Sequence, residues 1–161
     1  MMFKTHAIFG LFLALLTFNY FQELNIYLFT LITVFSAILL DIDEKHSKIG
    51  YKTRPLSNII QFIFKHRGFI HSIFFIAIIS FLINTFFGNY YIPFLIGSGS
   101  HILLDALTPR GIRLFYPFQF KMSFFFKTRG IVDQSLFFIL TASVLLIKFP
   151  VLKSFLLKIL T

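Results

Sequence analysis

Long apolar runs alternate with shorter polar connections along this chain, and the pattern predicts five membrane helices. A helix of about 19 residues is ~28 Å long, close to the ~30 Å hydrocarbon core of a bilayer. The first two runs are shorter than this, so we expect them to be tilted or partly interfacial. The five predicted segments are residues 7–21, 24–40, 69–87, 90–107 and 131–149.

Two long polar connections, 41–68 and 108–130, separate these runs and carry most of the cations. Segment 55–64, which a proline opens, predicts a short amphipathic helix along the membrane surface. Segment 112–126 mixes aromatic residues with scattered cations, which is typical of an interfacial position rather than a spanning one. The end of the chain, 151–161, is expected to form a further surface helix at the opposite face.

The composition agrees with a membrane protein. The 161 residues are 57% hydrophobic and 13% charged, so a soluble helical bundle would have too little polar surface to face water. We therefore predict one all-α domain over residues 1–161, an integral membrane bundle of about five apolar helices with interfacial amphipathic segments. The absence of cysteine excludes disulfides and thiolate metal sites.

Charge predicts the orientation of the bundle. The net charge of +9 comes from cations placed between apolar runs, which indicates contact with anionic lipid and argues against nucleic-acid binding. If the N-terminus lies inside, twelve of the fifteen Lys and Arg residues face the cytoplasm. The positive-inside rule therefore predicts a multi-pass protein of the inner membrane with its N-terminus inside.

That topology brings the chemically versatile residues to one membrane level. All five histidines and five of the six acidic residues fall at the cytoplasmic ends of the predicted helices, and only Glu23 lies on the other side. Such clustering is unexpected for ten independently placed groups. The set comprises His6, Asp41, Asp43, Glu44, His46, His66, His71, His101, Asp105 and Asp133.

These residue types suit a metal site. His101 and Asp105 are spaced i, i+4 and share one helix face, where both are costly in lipid unless they are paired or bound to metal. Gly68 interrupts the run between His66 and His71, so both histidines can approach one point. Nitrogen and carboxylate donors without sulfur favour Zn, Mn or Fe. So many donors could hold two ions about 3.5–4 Å apart.

Four motifs occur in a fixed order, and they resemble those of a known family. They are Thr5-His6-x-x-x-Gly10, Leu40-Asp41-Ile42-Asp43, His66-Arg67-Gly68-Phe69-x-His71-Ser72 and His101-x-x-x-Asp105-x-x-Thr108-Pro109-x-Gly111. Together they resemble the YdjM-like family, described as LexA-regulated, membrane-bound metal-dependent hydrolases, over residues 5–133. That family is distantly similar to zinc-dependent phospholipase C, and this likeness implies phosphoester chemistry.

The resulting hypothesis is a metallohydrolase that cleaves a lipid or lipid-linked phosphoester at the cytoplasmic face, most simply with two Zn ions. Arg67 and Arg110 are expected to bind phosphate oxygens, and Arg67 and Asp43 to take part in catalysis. Asp133 is expected to serve as a further ligand, as an acceptor for a ligand histidine or as the general base. The expected metal ligands are His6, Asp41, Asp43, His66, His71, His101 and Asp105.

Two non-enzymatic alternatives remain open. A metal transporter needs polar residues near the middle of the bilayer, whereas the outer helix halves offer mainly Asn84 and Thr85. A metal-stabilised scaffold would close the metal coordination completely, whereas an enzyme leaves one position exchangeable. Neither the metal nor the oligomeric state follows from the sequence.

Overall fold

The computed structural model describes residues 1–44, 47–64 and 68–160, and the regular secondary structure of this part is helical, apart from one isolated β-bridge. The predicted all-α class is therefore confirmed. Short 3-10 turns lie at Leu40–Asp43 and Phe69–His71. The helices are α1 (Phe3–Thr17), α2 (Ile26–Leu39), α3 (Lys48–Lys52), α4 (Arg54–Phe64), α5 (Ile73–Phe87), α6 (Tyr91–Ala106) and α7 (Ile131–Leu160).

Three stretches of the described chain are long and apolar enough to cross a membrane: Ile26–Asp43, Ile73–Ala106 and Ile131–Lys148. The second comprises α5, a tight turn at Gly88 and α6. Large apolar side chains such as Phe81 and Leu146 are exposed on the outside of the bundle. This arrangement fits a bundle whose outer surface faces lipid.

Two of the shorter predicted segments can be compared with the structure. Helix α4 matches the predicted amphipathic segment 55–64, and Ile59 and Phe62 are exposed on it. Helix α7 continues through Leu160, so the predicted break before residue 151 is absent. Pro150 lies inside this helix, a position that membrane helices tolerate better than water-exposed ones.

Helices α1, α2 and α6 approach one another closely because small residues lie between them. A Cβ atom on Gly10 would lie 2.8 Å from Cβ of Ala37. A Cβ atom on Gly97 would overlap the carbonyl oxygen of Thr33 and the hydroxyl of Ser36. This close packing fixes the relative positions of the three helices that carry His6, the aspartates after α2 and His101.

The connection between α6 and α7 contains a short loop rich in exposed aromatic residues, the aromatic hairpin (residues 111–126). Ile112 and Met122 exchange both backbone hydrogen bonds, and the amide of Phe124 donates to the carbonyl of Thr108. The amide of Ile73 donates to the carbonyl of Leu114. The hairpin is therefore joined to the end of α6 and to the beginning of α5.

Candidate metal centre and its access cavity

Four side chains converge at one end of the bundle and form the candidate metal centre. Each offers one nitrogen or carboxylate oxygen, and these four atoms lie within 4.8 Å of one another. They come from three separate regions: the turn after α2, the turn before α5, and α6. The four residues of this centre are Asp41, His71, His101 and Asp105.

A backbone carbonyl orients the ring of His101. Its Nδ1 lies 2.7 Å from the carbonyl oxygen of Ala37. A carbonyl can only accept a hydrogen bond, so Nδ1 carries the hydrogen and Nε2 is left with a lone pair. His101 thus presents a donor nitrogen to the centre, in the tautomer that metal ligation requires.

A carboxylate orients His71 in the same way. Its Nδ1 lies 3.1 Å from Oδ2 of Asp43, which favours a hydrogen on Nδ1. Burial of the ring opposes protonation, but the carboxylates of Asp43, Asp105 and Asp41 outweigh it and raise the pKa of His71. Asp43 therefore contacts a histidine of the centre rather than belonging to the four-residue group.

The two oriented rings face each other. The Nε2 atoms of His71 and His101 are 3.1 Å apart, and each is 3.7 Å from Oδ2 of Asp105. When both rings are neutral, as metal ligation requires, two lone pairs at this distance repel, and a carboxylate adds further negative charge. A cation between these atoms would relieve the repulsion, so the donor set fits a divalent metal.

His6 extends the centre on the other side of Asp105. Its ring stacks on His101 with centroids 4.0 Å apart, and its Nε2 lies 3.4 Å from Oδ1 of Asp105. Both ring nitrogens are buried without a hydrogen-bond partner among the described residues. Oδ1 of Asp105 also accepts a hydrogen bond of 2.8 Å from the amino group of Met1. Oδ1 of Asp105 therefore faces His6 and the amino group of Met1, whereas its Oδ2 faces His71 and His101.

Asp133 lies apart from the centre and joins the beginning of the chain to the segment before α7. One of its oxygens accepts a 2.7 Å hydrogen bond from the hydroxyl of Thr5. The other accepts from the amides of Met2 at 3.0 Å and Arg129 at 2.8 Å. This fully buried carboxylate fixes the beginning of α1 against the segment that precedes α7.

The remaining predicted site residues are placed differently. Arg110 lies at the surface, 74% exposed, with its guanidinium 3.6 Å from the carboxylate of Glu44. His66 and Arg67, predicted as a metal ligand and a catalytic, phosphate-binding residue, lie outside the described residues, as does His46. Of the seven expected ligands, the structure thus brings six to one region and does not describe the seventh.

A cavity of about 840 Å³ opens beside the centre, and we call it the access cavity. Asp41 is the link between the two, because its side chain is 15% exposed whereas those of His71, His101 and Asp105 are at most 1% exposed. Solvent therefore reaches the centre at Asp41. The cavity is lined by Met1, Met2, Phe3, Lys4, Asp41, Glu44, Ser47, Thr108, Pro109, Arg110, Lys127, Thr128 and Arg129.

Sequence reasoning missed several of these residues. In the sequence, Lys4, Lys127 and Arg129 are simply part of the excess of cations that predicts the topology and the contact with anionic lipid. The carbonyl of Ala37 carries no side-chain signal at all. A cavity wall assembled from residues more than a hundred positions apart has no sequence pattern that could reveal it.

Comparisons with known proteins find relatives in bacteria. A Bacillus subtilis (strain 168) protein described as uncharacterized protein YvsG is 35% identical over 102 residues, covering 61% of this chain and 64% of that protein. The inner membrane protein YdjM of Escherichia coli (strain K12) is 34% identical over 98 residues, covering 55% of this chain and 48% of that protein. The matches thus span less than two thirds of these relatives.

No solved structure matches the chain significantly. The family model described as YdjM inner membrane protein matches residues 1–158, almost the whole sequence. With helices long and apolar enough to span a membrane and a match of this extent, the chain belongs to the YdjM inner membrane protein family.

Proposed function

We propose that this protein is a membrane-bound, metal-dependent hydrolase that cleaves a phosphate ester. One observation carries the proposal: two buried histidine nitrogens face each other beside Asp105, and the partly exposed Asp41 of the same group lines the access cavity. A buried donor set that adjoins a cavity provides both a place for a metal and a route for a substrate.

The residues that would hold the metal are those of the centre together with His6. Asp105 would be central among them, because its Oδ2 faces His71 and His101 whereas its Oδ1 faces His6. Two Zn ions are the cofactor we favour, and Mn and Fe would suit the same donors. A divalent ion held there would act as a Lewis acid and lower the pKa of a water molecule toward neutrality.

The other polar residues have supporting tasks. Asp43 holds the ring of His71, and the carbonyl of Ala37 holds that of His101. Asp41 stands where the centre meets the cavity, so it can orient a water molecule that enters from solvent. Asp133 already accepts three hydrogen bonds, so we assign it to positioning the cavity walls rather than to proton transfer.

A metal-stabilised scaffold is the second candidate function. It would use the same donors to bind a metal but would need no cavity of this size beside them. The partial exposure of Asp41 favours the hydrolase. The abundance of cations on the segments around the centre supports a position at the cytoplasmic face of the inner membrane.

The test combines metal content with hydrolysis. Protein purified in detergent is compared with Asp105→Asn and with Glu23→Gln, an acidic residue remote from the centre. Plasma mass spectrometry should find bound divalent metal in the wild type and in Glu23→Gln, and much less in Asp105→Asn. Hydrolysis of bis(p-nitrophenyl) phosphate should fall at least about 100-fold in Asp105→Asn. Loss of a residue that only orients a metal ligand typically costs about 10- to 100-fold, and loss of a ligand itself should cost at least as much.

Three outcomes lead to different conclusions. Metal binding that depends on Asp105, without hydrolysis of any phosphoester tested, would favour the scaffold. Hydrolysis that survives in Asp105→Asn would exclude the proposed centre as its cause. Absence of bound metal in protein purified with Zn or Mn present would contradict both candidate functions.

A further inference from the structure

The walls of the access cavity are predominantly cationic. Four of the lining residues are cations, and two are acids. Arg110 is 3.6 Å from Glu44, which leaves three cations without an ion pair within the described part of the chain. These three are Lys4, Lys127 and Arg129. A cavity with this balance of charge attracts an anion rather than a cation.

Arg129 has a backbone conformation that needs an explanation. Its φ is 62°, in the left-handed region that a residue with a Cβ atom rarely adopts. The amide of Arg129 donates to Asp133, and the amide of Gly130 donates to the carbonyl of Lys127 at 2.9 Å, so the turn is fixed at both ends. Strain of this kind persists where neighbouring structure enforces it, and it is found most often at functional sites.

The buried carboxylate of Asp133 links two segments that line the cavity. It binds the amide of Met2 and the hydroxyl of Thr5, the residues on either side of the segment that includes Lys4. It also binds the amide of Arg129. Cations from the beginning of the chain and from the segment before α7 are thus held in a fixed relation, which reduces the entropy lost when they bind a common ligand.

We propose that Lys4, Lys127 and Arg129 form a binding site for the phosphate group of the substrate, next to the metal centre. This site would bind the substrate of the hydrolase proposed above, so the inference rests on that proposed function. A phosphate group presents several oxygens to several cations, and a guanidinium can bind two of them at once. Met1, Met2, Phe3 and Pro109 add apolar surface to the same cavity, which leaves room for the rest of an amphiphilic ester.

The experiment measures binding in the absence of metal, so it does not depend on hydrolysis. Protein purified in detergent and treated with chelator is titrated with inorganic phosphate and, separately, with dihexanoyl phosphatidate, by calorimetry. The variants Lys4→Gln, Lys127→Gln and Arg129→Gly are each expected to bind about tenfold more weakly, the effect of losing one hydrogen bond to a charged group. Lys121→Gln, on the aromatic hairpin and outside the cavity lining, is the matched control and should bind like the wild type.

Arg129→Gly separates loss of the ligand contact from loss of the fold. Glycine adopts a φ near 62° without strain and keeps the amide that Asp133 holds, so the thermal midpoint of this variant should be unchanged or higher. Weaker phosphate binding together with an undiminished midpoint would support the site. A lowered midpoint with unchanged binding would contradict the role assigned to Arg129.

The two ligands identify the source of the phosphate. Tighter binding of phosphatidate would indicate a lipid headgroup, and equal binding of both would indicate that the phosphate group alone is recognised; both results support the site. No binding of either ligand, or equal weakening by Lys121→Gln, would overturn it. Binding without any hydrolysis by the metal-loaded protein would keep this inference and reject the proposed function, so the two failures can be told apart.

Discussion

The Nε2 atoms of His71 and His101 lie 3.1 Å apart, although the other nitrogen of each ring is oriented by a separate acceptor. The carbonyl of Ala37 fixes one ring and Asp43 fixes the other. These two contacts come from the end of α2 and from the turn that follows it. A single short segment therefore sets the tautomers of both histidines before any metal binds.

We predict that Asp43→Asn weakens metal binding by about 10- to 100-fold, the cost typical of removing an acceptor that orients a ligand histidine. The asparagine has nearly the same shape but neither the charge nor the preference for a hydrogen on Nδ1 of His71. Dissociation constants can be measured by competition with a chromogenic chelator. Glu44→Gln, the adjacent acid outside the four-residue centre, is the control and should bind metal within a few-fold of the wild type.

As the pH is lowered, the metal affinity should begin to fall at a higher pH than it would at a centre whose histidines have ordinary pKa values. A ligating histidine must be neutral, and Asp43, Asp105 and Asp41 raise the pKa of His71 above its usual value of about 6.5. Protons therefore compete for this ring at pH values where most histidines are already neutral. Affinities measured between about pH 5.5 and pH 8.5 should decline from above pH ~6.5 downward.

The same measurement on Asp43→Asn tests whether Asp43 raises the pKa of His71. Loss of the carboxylate lowers the pKa of His71, so the pH at which affinity declines should move toward acid even though the affinity at high pH is weaker. A decline at the same pH in both proteins would show that Asp43 does not govern the protonation of His71.

The helices and much of the donor set followed from the sequence for physical reasons. Apolar runs near the thickness of a bilayer predict helices, and the i, i+4 spacing of His101 and Asp105 places both on one face. The end of α7 was not predicted correctly, because Pro150 signals a break that a long membrane helix can tolerate. Hydropathy reports burial in lipid, but it does not report how a helix ends.

The details of the site depend on tertiary contacts that leave no sequence pattern. The assignment of Asp133 is one example, since its partners Met2 and Arg129 are more than a hundred positions apart in the chain and contribute only backbone amides. The acceptor for His101 is likewise a backbone carbonyl. Side-chain chemistry could indicate that a metal site exists, whereas the orientation of each ligand follows from how α1, α2 and α6 pack.

That packing can be tested at two glycines of α6. Gly97→Ala should lower the free energy of unfolding by about 1–3 kcal/mol, because the added Cβ atom meets the carbonyl of Thr33 and the hydroxyl of Ser36. Gly99→Ala is the matched control: nothing lies within 4 Å of its added Cβ, and alanine favours the helix by up to about 1 kcal/mol. Thermal unfolding in detergent, followed by circular dichroism, should show opposite shifts of the midpoint.

The Cβ atom added in Gly97→Ala should push α6 away from α2, and this displacement should also change the metal centre. His101 follows Gly97 by one helical turn, so Gly97→Ala should weaken metal binding while Gly99→Ala leaves it unchanged. Equal stability and equal metal affinity in the two variants would contradict the close approach of α2 and α6.

The orientation of the bundle is open to a direct test, because the chain has no cysteine and any single cysteine can be labelled alone. Glu23→Cys and Lys121→Cys place exposed thiols in the connection between α1 and α2 and on the aromatic hairpin. With the N-terminus inside, the excess of cations keeps the hairpin in the cytoplasm. A membrane-impermeant maleimide should therefore label Glu23→Cys in intact cells of a bacterial host permeabilised only at the outer membrane. Lys121→Cys should be labelled only after the inner membrane is disrupted. The reverse pattern would place the access cavity on the periplasmic side, and the substrate would then have to be sought there.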